Sequence, residues 1–322
     1  MSPADSSHSP DDDLAAKERF CSFDLSGWTL LRLTGRDAVK FLHNFCTNDI
    51  QRLSPGAGCE AFITNVKARV LGHVFAYRDD PTTLTLLASP GQGTTLVPHF
   101  DRYVITEDVA IADLTNESDL QLLTGPQLAD ADTARNLFGP PTGPSETIRR
   151  VDLLGQPGWL LERSRKAAAN SPGSNVVRPG DRSAFESLRI GACFPYYGVD
   201  VTEDQLAPEV GRPWAISYTK GCYLGQEPIA RIDALGHVNK LLRGLRLESG
   251  PVPERGATII ADDKEIGSVK SATTSHADGR PIALGFLRSK FAEPGTNVVV
   301  RTEGSEVPAT VFGPVDESGG TP

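Results

Sequence analysis

No C-x-x-C pair occurs among the five cysteines, Cys21, Cys46, Cys59, Cys193 and Cys222, which are odd in number and scattered along the chain. That usage excludes a disulfide framework and a local metal or iron–sulfur ligand cluster, and it fits a reducing compartment. No metal site is expected. No apolar run approaches the ~20 residues needed to cross a bilayer, so no membrane partner is expected either. The first residues, MSPADSSHSPDDDLAA, lack both an arginine and a hydrophobic centre, unlike a signal or transit peptide, and a cytoplasmic location follows as the expectation. Basic excess is absent as well. A net charge of −9 argues against direct, charge-driven binding to nucleic acid, and neither an RNP-like motif nor aromatic–basic interleaving appears.

What is present is an ordinary globular composition, 39% hydrophobic and 23% charged, with 31 Gly and 24 Pro implying many turns. A chain of 322 residues is long for one core, so two or three compact units are expected. Residues 1–16 and 314–322 read as disordered tails. Trp28 to Leu33 reads as a strand, and Ala38, Phe41, Leu42 and Phe45 follow at the spacing of an amphipathic helix. Two strands flank the turn Asn65-Val66-Lys67-Ala68-Arg69, and Thr82 to Leu87 makes a third. His73, within the second of these, reads more readily as a half-buried strand residue than as a ligand. A second helical pattern (Leu96, Val97, Phe100, Val104) is expected to hold Pro98 in its first turn. Strand-helix-strand-strand-helix order predicts an α+β fold, with helices on one face of an antiparallel sheet and two lobes across residues 17–236, breaking near 115–150. Residues 167–181 read as a polar loop. From 237 to 313 short strands recur between Pro/Gly turns, the pattern of a small all-β barrel or sandwich.

The densest chemistry lies in Thr219-Lys220-Gly221-Cys222-Tyr223-Leu224-Gly225-Gln226-Glu227-Pro228-Ile229-Ala230-Arg231. Its glycines allow positive φ or close backbone approach, and Pro228 suits the first turn of a helix. A glycine-punctuated loop feeding a short helix is expected, with Cys222 just upstream of the helix N-terminus. Lys220, Arg231 and the positive end of the helix would favour a reactive thiolate. A cysteine in a tight turn is equally read as a small, inert core residue.

This stretch, KGCYLGQEPIAR, resembles the K-G-C-[FY]-x-G-Q-E-x-x-[AS]-R signature of the YgfZ family, folate-binding relatives of the glycine-cleavage T-protein. Leu33 to Ile50 (LTGRDAVKFLHNFCTNDI), Thr64 to Val70 (TNVKARV, with Ala68 for the family's glycine), Ser187 to Glu209 and Gly256 to Val300 are similar to further family segments. The resemblance implies a T-protein-like cloverleaf: a bilobed, ferredoxin-like folate-binding region and a C-terminal barrel. It also implies a role in assembling or repairing 4Fe–4S proteins and, through them, in tRNA modification. The cofactor implied is tetrahydrofolate or a derivative, and the partners are a folate-type small molecule and iron–sulfur client or assembly proteins. Cys222 would be the redox- or cluster-facing thiol, with Lys220 and Glu227 beside it. Asn65, Lys67, Arg69, His73, Arg189, Tyr197, Glu209, Tyr223, Gln226 and Arg231 would line the folate site. Two positions depart from T-proteins: Gly72-His73 stands for an Asp-Asp pair, and Gly191 stands for a glutamate expected to hold the pterin, so that Glu186 or Glu209 would have to replace it. The alternative is a folate-dependent aminomethyltransferase of the T-protein type.

Overall fold

The computed structural model describes residues 20–128, 130–139, 141, 146–168, 177–236, 238–302 and 304–314. The expected tails therefore lie outside the described residues (Pro314 apart), as do 169–176 of the polar loop. Strands β1 (Cys21–Asp24) and β2 (Thr29–Thr34) lead into helix α1 (Ala38–Phe45). Then come β3 (Gly58–Thr64), β4 (Val70–Arg78), β5 (Thr83–Ala88), helix α2 (Gly93–Asp101), β6 (Ala110–Asp113) and β7 (Ser118–Thr124). Helix α3 (Ala131–Phe138), β8 (Thr147–Arg150), β9 (Gly158–Ser164), the short α4 (Arg165–Ala168) and β10 (Arg178–Pro179) precede α5 (Arg182–Gly191) and α6 (Gln226–Leu235). The last six strands are β11 (Lys240–Leu247), β12 (Thr258–Ala261), β13 (Lys264–Thr274), β14 (Pro281–Arg288), β15 (Asn297–Thr302) and β16 (Ser305–Phe312).

Three sheets result. The first runs β3-β4-β5-β2-β6, antiparallel throughout, and the second β10-β1-β7-β9-β8, in which only β1 and β10 pair in parallel. The third closes into the barrel β11-β14-β13-β12-β15-β16. The α+β expectation holds, with α1 and α2 on one face of the first sheet and the second sheet on the other. Strand β4 is buried along almost its whole length. Val74 and Ala76 pack with Phe41, Leu42 and Phe100 under α1 and α2, while Phe75 and Tyr77 pack with Leu120, Leu122 and Leu160 of the second sheet. The face away from the helices is thus covered by another sheet, and a strand buried on both faces shows no period-2 signal.

Helix α2 begins at Gly93, earlier than the apolar spacing suggests, so Pro98 sits in its second turn and not its first. Among the described residues, no helix is long and apolar enough to cross a membrane.

Candidate functional site

The motif loop is built against two other segments, and each contact has a cause in the sequence. Gly225 takes φ +87°, and a Cβ there would lie 2.5 Å from the carbonyl oxygen of Asn65 and 2.8 Å from Thr64 Oγ1. Glycine is therefore needed twice over, for its dihedral and for the close approach. Thr64 Oγ1 donates to the Leu224 carbonyl at 2.7 Å, and the Leu224 N–H donates to the Asn44 carbonyl at 2.9 Å. So the β3–β4 turn and the end of α1 together hold the backbone just after Cys222. Gly225→Ala is expected to cost about 2 kcal/mol or more from positive φ and the clash with the Asn65 carbonyl. Chemical denaturation would register the loss, and faster proteolysis at residues 219–226 would locate it.

Lys220 anchors the other end of the loop. Its buried Nζ donates to the carbonyls of His43 (2.5 Å), Cys46 (2.8 Å) and Asn48 (2.8 Å), and lies 4.8 Å from the centre of the Tyr223 ring. All three ammonium protons are used. Burial lowers its pKa, against the opposing pull of Cys46 and Asp49. The expectation that this charge serves Cys222 is corrected: it closes the C-terminal end of α1, where carbonyls lack helical partners. Cys222 itself is exposed. Glu227 is exposed in the first turn of α6, where the dipole favours a carboxylate, and Arg231 is exposed one turn on. Tyr223 is buried beneath Lys220, and Gln226 is half-buried with its N–H on the Tyr223 carbonyl.

The Asn65 turn is closed by its own side chain and tied to residues 203 and 204. Asn65 Oδ1 accepts from the N–H groups of Lys67 and Arg69, its Nδ2 donates to Glu203, and the Arg69 guanidinium donates to the Asp204 carbonyl. Ala68, in the family's glycine position, keeps the left-handed φ of +60°. Lys67 is exposed.

Behind the loop, residues 193–220 run as a connector pinned at short intervals. Asn48 Nδ2 donates to the carbonyls of Glu60 and Trp214, and Thr47 Oγ1 donates to that of Ala215 at 2.6 Å. Glu60, with no exposed side-chain surface, accepts two hydrogen bonds from Arg212, one from Trp214 Nε1 (2.7 Å) and a 2.6 Å contact from His73 Nε2. Burial pushes its carboxyl up, but Arg212 and His73 outweigh that and hold it well below the usual carboxylate range. His73 is thus committed to Glu60 and stacked against Phe62 at 5.0 Å, not presented to a ligand. Sequence reasoning missed Glu60, Arg212 and Asn48. Only the T-N-D segment carried a signal, and only for Asn48.

The connector's other end forms one wall of a cavity of about 600 Å³. Phe23, Trp28, Phe185, Tyr196 and Tyr197 give it aromatic walls, and Asp24, Asp181, Arg182 and Glu186 its polar groups. Of the ten residues expected to hold a folate, Tyr197 alone lines this cavity. Arg189 is 1% exposed and bound by Glu186, Asp200 and the Phe194 carbonyl. Glu209 accepts from the Leu206 N–H at 3.0 Å, with Lys240 nearby at 3.7 Å. Glu186 lines the cavity; Glu209 does not.

Residues 6–133 match the family described as the GCVT N-terminal domain, and residues 240–315 match the glycine cleavage T-protein C-terminal barrel domain. The chain belongs to the T-protein-like superfamily. An Arabidopsis thaliana protein named as a transferase and as chloroplastic is 28% identical over 86% of this chain and 67% of its own length. An aminomethyltransferase of Desulforamulus reducens is 25% identical over 87% of this chain and 82% of its own. The crystal structure of aminomethyltransferase T of the glycine cleavage system from Bartonella henselae superposes with a TM-score of 0.81. It is 22% identical and covers 95% of this chain and 88% of that one, so the fold is shared. Within this T-protein-like frame the two departures have different surroundings. A Cβ at Gly72 would lie 2.7 Å from a Leu96 methyl, leaving little room for a carboxylate, whereas a Cβ at Gly191 would meet nothing within 4 Å.

Proposed function

We propose that this T-protein-like protein is a folate-binding accessory factor of the YgfZ type that supports assembly or repair of 4Fe–4S proteins, and through them tRNA modification. The observation that carries the reading is Cys222, an exposed thiol on a loop held at both ends by buried contacts. A thiol that merely filled space would be buried, as Cys46 and Cys193 are. Its partners would be iron–sulfur client or assembly proteins, met in the cytoplasm.

The aromatic cavity fits a folate. Trp28, Tyr196 and Tyr197 offer faces for a flat ring, Glu186 and Asp181 accept N–H groups of a pterin, and Arg182 pairs with a tail carboxylate. Bound there, the folate would supply one-carbon chemistry; the chain's part is to orient the ring and exclude water from one face. Titration of tetrahydrofolate into the full chain is expected to give saturable binding that weakens on the order of tenfold in Tyr197→Ala, the loss of one stacked ring and its hydroxyl. Heats of dilution alone would remove folate from this reading.

The second reading, one-carbon transfer of the aminomethyltransferase type, draws on the names of relatives. Against it, strand β4 carries no carboxylate at 72 or 73, and His73 is tied to Glu60. Without that charge the folate nitrogen loses an electrostatic partner during transfer.

A further inference from the structure

Arg189 stands behind the wall of the aromatic cavity, and two residues of that wall are held by it. Its guanidinium is buried, with the residue 1% exposed. Nε and Nη2 donate to the Glu186 carboxylate, the latter at 2.5 Å. Nη1 donates to Asp200 Oδ2 at 2.7 Å and to the Phe194 carbonyl at 2.8 Å. The guanidinium carbon also lies 4.5 Å from the centre of the Tyr196 ring. Glu186 and Tyr196 both line the cavity. Asp200 holds the same assembly from behind: its buried Oδ2 accepts the Tyr196 N–H at 2.8 Å as well as Arg189.

The other oxygen of Asp200 reaches the barrel. Ser271 Oγ, on β13, donates to Oδ1 at 2.5 Å. Strict alternation along β13 would turn Ser271 to the face of Val269, which is buried in the barrel core. The strand instead carries an extra residue here: Val269 pairs with Gly285, and Ser271 with the adjacent Leu284. Such a bulge re-aims the side chains that follow it. Ala272 accordingly packs against the barrel core, and Ser271 faces the connector. The β13–β14 loop adds a second tie to α5. There the His276 N–H donates to Ser187 Oγ at 2.9 Å, and His276 Nε2 meets Ser183 Oγ at 3.0 Å.

A barrel hydroxyl, a carboxylate, a guanidinium and a second carboxylate thus form one line of hydrogen bonds that ends at the cavity. Hydrogen bonds to charged groups are the strong ones, and in a connected line each fixes the geometry of the next. We propose that Ser271, Asp200 and Arg189 are positioning residues through which the C-terminal barrel fixes Glu186 and Tyr196 for the cavity's ligand. The coupling rests on the reading that this cavity holds the folate. It gives the barrel a part in binding although none of its described residues lines the cavity.

Titration of tetrahydrofolate into the full chain tests it. Ser271→Ala is expected to weaken binding on the order of fivefold, and Ser271→Thr, which keeps the hydroxyl, to bind within about twofold of wild type. In a Glu186→Gln background the Ser271→Ala factor should shrink, because the line no longer ends on a carboxylate. A residue acting only on barrel stability would give the same factor in both backgrounds. Wild-type affinity in Ser271→Ala, an equal loss in Ser271→Thr, or equal factors in the two backgrounds would each overturn the proposal. Hydrogen exchange of the unliganded chain gives a second measurement. Peptides spanning residues 194–201, where the Tyr196 N–H rests on Asp200, should exchange faster in Ser271→Ala and as in wild type in Ser271→Thr. If wild type gives heats of dilution only, the folate reading falls and exchange decides: faster exchange keeps the coupling of barrel to cavity, and unchanged exchange removes it too.

Discussion

Replacing Lys220 with methionine is expected to lower the unfolding free energy by about 3–5 kcal/mol, enough to remove a large share of a domain's stability. Methionine keeps much of the apolar stem but leaves the carbonyls of His43, Cys46 and Asn48 without their donor. Each buried acceptor stripped of its partner costs about 1–3 kcal/mol, less whatever relaxation and water entry recover. The same change frees the start of the motif loop from the end of α1, so proteolysis near residues 217–222 should accelerate more than elsewhere. Urea denaturation is the direct check. A midpoint within error of wild type would mean that the ammonium is not the clamp its hydrogen bonds describe.

The second large effect centres on Glu60. Glu60→Gln removes the charge that compensates Arg212, which is 4% exposed, and weakens the contact to His73. Breaking one half of a buried ion pair typically costs about 3–5 kcal/mol, because the partner stays buried and uncompensated. The pair also sets a pH dependence whose sign can be worked out. The native carboxyl sits well below its ordinary value, so the native state binds fewer protons than the unfolded chain across the acid range. Stability from Glu60 is therefore complete above about pH 4.5 and falls as pH drops through the native value. Wild-type stability should decline steeply below about pH 4.5, and Glu60→Gln, weaker at neutral pH, should show a shallower decline. Parallel acid profiles would mean that some other carboxylate governs the acid limb.

Much of the fold could be read from local pattern. The barrel strands stand out because Pro/Gly turns separate them, as at Pro253-Glu254-Arg255-Gly256, and Ala38, Phe41 and Leu42 mark the buried face of α1. Helix α3 escaped because only Ala134 and Phe138 of its residues are buried, too few to set a period. Strand β10, two residues long, pairs among the described residues with β1 alone and leaves no trace in the sequence. The motif was legible as a loop and a helix, but not the tasks of its residues. A lysine beside a cysteine suggests tuning of the thiol, yet its partners lie 172 to 177 residues away. The same holds for Glu60 and Arg212, 152 residues apart and unremarkable singly. Local pattern reports which face is buried; it carries no information about which distant carbonyl or charge a polar side chain will meet.

Cys222 and the cavity are joined by the connector from Phe194 to Lys220, and that continuity gives the two-part reading its physical basis. Tyr196 and Tyr197 line the cavity, Arg212 and Trp214 bind Glu60, and the chain then delivers Lys220 to α1. A ligand that orders the tyrosines would act on the same segment that positions the thiol.

The measurement that bears most directly on this account is the activity of a 4Fe–4S enzyme in cells lacking the protein, supplied with either the wild-type chain or Cys222→Ala. Cys222 is exposed, so the variant should fold and melt like wild type. The wild-type chain is expected to restore the enzyme and Cys222→Ala to leave it at the level of the empty control. Full restoration by Cys222→Ala would contradict the account.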